Sequence, residues 1–191
     1  MWMLALAGGL VFFIHTGVNI HQAAFLRDQG IGASAAAGAL SVMAAGTAVG
    51  SLLWGNLLDR LPERVVYAAV AVWLGSVSLL FLLVDSVSVA YAVAALFGIG
   101  LGGLLVVPPV AIAAYFGRKS LGAIRGATEP FVSGGQAIGA VGAGLIFDFT
   151  GSYTATFPTF TAVAAVAALL ILATRRPEQA PANVAPVRSA G

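Results

Sequence analysis

From Gln29 to Leu58, and again from Ser86 to Gly117, the chain carries no Asp, Glu, Lys, Arg or His. A soluble helix that long keeps one polar face toward water, and these stretches have no charge to put there. They are instead long enough to cross the hydrocarbon core of a bilayer, which takes ~20 mostly apolar residues in a helix. The rest of the chain follows suit, with 60% apolar and 8% charged residues among 191. An ordinary soluble domain has roughly a quarter charged residues. Lipid must be the main solvent, and there the backbone has to satisfy its own hydrogen bonds. The 24 glycines fit that setting, because small residues let helices in lipid approach closely.

Reading from charge to charge predicts six transmembrane helices. They run from about Trp2 to Gln22, Ser34 to Leu58, Val65 to Val84, Val87 to Phe116, Leu121 to Phe147 and Thr154 to Thr174. The expected fold is an all-α integral membrane bundle over residues 1–175, with 176–191 a disordered cytoplasmic tail rich in Pro, Ala and polar residues. One set of connections holds Arg60 and Arg64, then Arg118 and Lys119, then Arg175 and Arg176. The other holds Arg27 with Asp28, then Asp85, then Asp148. Basic loops favour the cytoplasmic side, so both termini are expected there, in the cell (inner) membrane. The start is apolar from Met1 without a basic leader. It reads as a helix retained in the membrane, or as a chain beginning partway through a longer protein.

The second and fifth helices share a pattern. Gly46-Thr47-Ala48-Val49-Gly50 is followed by Gly55 and Asp59, and Gly135-Gln136-Ala137-Ile138-Gly139 by Gly144 and Asp148. Three helices separate the copies, so their orientations are opposite. The pattern predicts two inverted three-helix repeats.

Gly55-Asn56-Leu57-Leu58-Asp59-Arg60-Leu61-Pro62-Glu63-Arg64 resembles the G-x3-D-R-x-G-R-R signature of the major facilitator superfamily, with Pro62 where the family has Gly. The resemblance implies a conformational latch formed by Gly55, Asp59, Arg60 and Arg64. Tyr115-Phe116-Gly117-Arg118-Lys119 and the run from Gly144 through Asp148 to Gly151-Ser152-Tyr153 are similar to the monocarboxylate-porter and oxalate–formate-antiporter branch. The six helices would then be the C-terminal half of a twelve-helix transporter. Its partner would be a missing N-terminal six-helix half, or a second copy of this chain.

Few ionisable or polar groups fall inside the spans, and such groups are functional candidates by default. Arg125 and Glu129 are four apart on the fifth helix and share a face. The Arg can hold an anionic substrate and the Glu can exchange a proton; a structural ion pair is the plainer alternative. His15, Asn19 and Gln22 form one polar stripe on the first helix, which should face the bundle or a cavity. They are candidates for a substrate or proton pathway, or for hydrogen bonds to a neighbouring helix. His21 is placed near the outer interface, of less interest. Pro108 and Pro109 should break or kink the fourth helix and are candidate gating hinges.

The expected function is secondary transport of a small organic anion such as a monocarboxylate, coupled to protons, by alternating access. Efflux of hydrophobic compounds, a half-size transporter acting as a homodimer, and a non-transporting remnant or membrane scaffold are the alternatives. The absence of cysteine removes thiol catalysis, and no phosphate-binding loop or metal-spaced histidines occur. No enzyme activity, cofactor or metal is expected. The net charge of +2 is too scattered for nucleic acid. The bilayer and a small-molecule substrate are the expected partners.

Overall fold

The computed structural model describes residues 1–117 and 121–174. Six helices in it are long and apolar enough to span a membrane. They are α1 (Trp2–Asp28), α2 (Ala33–Leu58), α3 (Glu63–Leu80), α4 (Val87–Phe116), α5 (Leu121–Thr150) and α6 (Thr156–Ala173). Short 3-10 turns, Phe81–Leu83 and Tyr153–Ala155, follow α3 and precede α6. Among the described residues there is no strand. Met1, the α2–α3 connection and Thr174 share one end of the bundle, called here the near end. The turns around Gly30, Asp85 and Gly151 form the far end.

Several helices outrun the expected spans. By charge, Arg27 and Asp28 belong to a connection, but both lie in the last turn of α1. Once nucleated, a helix adds residues cheaply, and nothing before Gly30 stops this one. Gly30, with φ of +79°, ends that segment. The prolines also break nothing: α4 runs unbroken through Pro108 and Pro109, and α5 through Pro130. Each proline removes the bond its own nitrogen would have donated and crowds the carbonyl four residues back, and the turns on either side keep the helix continuous. Arg118 and Lys119, and the tail with Arg175 and Arg176, lie outside the described residues.

The packing carries the two-fold relationship of the repeat. α2 lies along α4, and α5 lies along α1, as the two most extensive helix pairs. In the first pair, Gly46 and Gly50 press on the backbone carbonyls of Ala95 and Ile99. In the second, Gly135 and Gly139 press on those of Gly9 and Phe13. Both pairs of glycines are one turn apart, and so are their targets. The shared motif is thus a helix-contact surface used twice, in opposite orientations. The remaining pair, α3 with α6, closes the bundle, and Thr161 of α6 donates to the Gly75 carbonyl at 2.8 Å.

Two indoles tie α2 and α3 to α4. Trp54 Nε1 donates to the Ile99 carbonyl at 2.9 Å and Trp73 Nε1 to the Leu96 carbonyl at 2.8 Å. The rings meet edge to face, 6.1 Å between centroids. The far end is sealed by aromatics: Phe81 stacks on Phe157 at 5.2 Å, and Phe25 meets Phe157 edge-on at 5.0 Å.

Candidate functional site

The α1 stripe turns toward the protein. Gln22 is 1% exposed, and neither of its amide atoms has a hydrogen-bond partner among the described residues. His15 Nδ1 is likewise buried without a partner, and Asn19 is half-buried. Polar atoms withdrawn from solvent normally find partners. In a membrane bundle, orphaned ones mark positions where a polar guest gains most by binding.

α5 supplies the charged pair. Arg125 and Glu129 are both exposed on the bundle surface and line one open cavity of about 130 Å³ with Phe12 of α1 and Thr128 of α5. Its far wall is α4, through Leu104, Leu105, Pro108 and Pro109. The two prolines have no N–H, so the carbonyls of Leu104 and Leu105 lose their helical donors. Those two residues are on this cavity. The Glu129 carboxylate accepts a hydrogen bond from Ser133 Oγ at 3.3 Å. The expected hinge and the expected charged pair are therefore neighbours, across a gap that neither helix fills. A second, apolar groove of about 370 Å³ lies between α1 and α5, lined by Leu6, Phe13, Pro130, Phe131 and Ile138 among others.

The residues of the expected latch sit apart from this cavity. Asp59 caps α2 and its N–H donates to the Gly55 carbonyl at 3.3 Å. The side chains of Asp59, Arg60 and Arg64 are exposed at the near end, and space beside Gly55 is open. Their surface thus points away from the six-helix bundle itself. The neighbouring Glu63 looks like one more loop charge in the sequence, yet it is 8% exposed and engaged in an interaction.

His21 joins three parts of the far end. It bridges α1 to Ala140 of α5 and to Tyr153. Tyr153 reaches it because α5 stops at Gly151, whose φ of +67° suits a residue without Cβ. Ser152 then accepts the Thr154 N–H at 3.1 Å and fixes the turn. Tyr153 was already part of the quoted motif, but a partner 132 residues away leaves no local trace.

Among the described residues no group of His, Cys, Asp and Glu is arranged to hold a metal ion. A family model described as Major Facilitator Superfamily matches residues 2–190. No curated protein matches the chain.

Proposed function

The chain belongs to the major facilitator superfamily, and on that premise we propose that it carries a small organic anion, such as a monocarboxylate, together with a proton. Members of this family are transporters rather than enzymes, and the six apolar helices make this one an integral membrane protein. The substrate reading rests on one observation: Arg125 and Glu129 line a single cavity against Pro108 and Pro109. A guanidinium matches a carboxylate with two parallel hydrogen bonds. Without substrate, Arg125 and an ionised Glu129 sum to zero charge. An added anion makes the site negative, which is costly at membrane depth. A proton on Glu129 restores neutrality. Loaded and unloaded sites are then both neutral, and the anion moves only with its proton.

The prolines supply the moving part. Gly98, Gly100, Gly102 and Gly103 are packed tightly against α2 and α3, so that portion of α4 is stiff. Flexing is left to the segment at Pro108 and Pro109, beside the cavity. The second half of the machine is another six-helix unit, preceding this one or supplied by a second copy. It would meet α2 and α5, the least buried helices, and alternating access would rock the two units about the site. The exposed Gly55–Arg64 loop would latch one state of that motion. The basic connections favour the cytoplasm as the side of both termini. Differently tagged copies that co-purify in mild detergent would support the second-copy arrangement.

The test is uptake of labelled acetate, lactate and formate into vesicles under an inward proton gradient. Arg125→Ala should abolish uptake at unchanged expression. Glu129→Gln should keep exchange but lose accumulation driven by the gradient. The apolar groove between α1 and α5 favours a second reading, efflux of a hydrophobic compound. If Arg125→Ala leaves transport intact, that reading replaces the first.

A further inference from the structure

The His21 ring is held by two hydrogen bonds whose directions can be assigned. Nε2 lies 2.9 Å from the Ala140 carbonyl, and Nδ1 lies 3.1 Å from the Tyr153 hydroxyl. A carbonyl only accepts, so Nε2 carries the hydrogen. In the neutral ring Nδ1 is then bare and accepts from the Tyr153 O–H. Nδ1 is therefore the atom a proton would take. After protonation both nitrogens donate, and the Tyr153 oxygen becomes the acceptor. Neither contact is lost and both become charge-assisted, which strengthens them.

The charged groups of this end are few and lie on named elements. Asp28, at the end of α1, and Asp148, in the last turns of α5, both act electrostatically on the Tyr153 hydroxyl. Asp85 lies in the α3–α4 connection of the same end. The opposing charge of that end is Arg27, beside Asp28 and exposed. α4 contributes Tyr91 and α1 itself His15; α2 and α6 contain no Asp, Glu, Lys, Arg or His, and α3 has them only at its near end. Tyr153 also stacks on Phe147 at 4.6 Å and meets Phe25 edge-on at 6.1 Å. The contact thus forms the rim of the aromatic seal.

We propose that His21 is a proton-binding site, and that the proton it takes tightens a clasp holding α1 to the α5–α6 turn. The repeat gives the clasp a counterpart. Tyr153 follows Asp148 by the same interval as Arg64 follows Asp59, so the far-end turn is the inverted copy of the near-end signature loop. The clasp thus occupies, in one repeat, the position that the exposed Gly55–Arg64 loop occupies in the other, and of the two turns it alone reaches an imidazole. Its role in gating rests on the transport reading, but its test needs no substrate.

Hydrogen–deuterium exchange on the full chain in lipid nanodiscs reads the clasp directly, corrected for the intrinsic pH dependence of exchange. The unaffected α2 segment Gly46–Trp54 serves as reference. Residues Tyr153–Phe160 should be several-fold better protected at about pH 5.5 than at about pH 8, which brackets the usual histidine range. His21→Gln keeps a donor for Ala140 but does not titrate, and should abolish the difference. Tyr153→Phe keeps the ring stacking, loses the hydroxyl, and should leave the segment poorly protected at both pH values. Equal protection of the unmutated chain at the two pH values would overturn the proposal. So would a pH difference that survives in His21→Gln or, should that variant fail to fold, in Tyr153→Phe. Failure of anion uptake would reject the transport reading and leave this result standing.

Discussion

Gly50 of α2 rests on the backbone carbonyl of Ile99 in α4 so closely that a Cβ at position 50 would overlap it. Gly139 of α5 stands in the same relation to Phe13 of α1. These contacts set the separation of the two largest helix pairs, in a solvent where close packing rather than hydrophobic exclusion drives association.

Enlarging either glycine should therefore push a helix pair apart. Gly50→Val or Gly139→Val is expected to cost at least the ~1–3 kcal/mol of an overpacked core, seen as a lower melting temperature in detergent. Gly134 has open space around it, and Gly134→Ala should be neutral or gain up to ~1 kcal/mol from helix propensity. Equal effects at positions 50 and 134 would contradict the packing described.

Replacing Pro108 and Pro109 with alanine returns donors to the carbonyls of Leu104 and Leu105. The double variant should melt higher and turn over more slowly, with substrate binding little changed. Normal turnover in a stiffened protein would remove the prolines from the gating machinery.

Gln22 is buried with both amide atoms unpartnered among the described residues. Leucine has similar volume and no polar atoms, so Gln22→Leu should stabilise by roughly the ~1–3 kcal/mol that an unsatisfied buried group costs. If Gln22 contacts substrate, the same variant should raise KM or abolish transport. Thermal melting and uptake measured side by side separate these effects, and a stabler protein with unaltered uptake would take Gln22 out of the pathway.

Trp73→Phe keeps an aromatic ring beside Trp54 and loses the Nε1 hydrogen bond to Leu96. Interhelical hydrogen bonds in membranes contribute about 0.6 kcal/mol and up to about 1.7 kcal/mol. The melting temperature should fall by a modest amount corresponding to that range, and no change would show that the indole contributes packing alone.

Much of the architecture is legible in the chain as a line of letters. The charge-free runs around α2 and α4 announce helices in lipid because hydrophobic length is a local property. The duplicated glycine pattern at Gly46 and Gly135 is readable for the same reason, as is the shared face of Arg125 and Glu129. Helix ends were less legible: Arg27 and Asp28 look like loop residues by charge, yet a helix continues through them until Gly30. Prolines 108 and 109 look like breaks, yet α4 passes through them, since a helix held on several sides tolerates two missing donors.

The sequence by itself determined the number of helices, their solvent and their two-fold relationship, because each follows from apolar length, charge placement or spacing along one chain. Only the tertiary structure decided that Arg125 and Glu129 face Pro108 and Pro109, that Gln22 is buried without a partner among the described residues, and that His21 meets Tyr153. Those facts depend on how each helix is rotated and how far it slides along its neighbour. Rotation and slide are set by the glycine contacts of α1 with α5 and of α2 with α4 acting together, and no single segment encodes them.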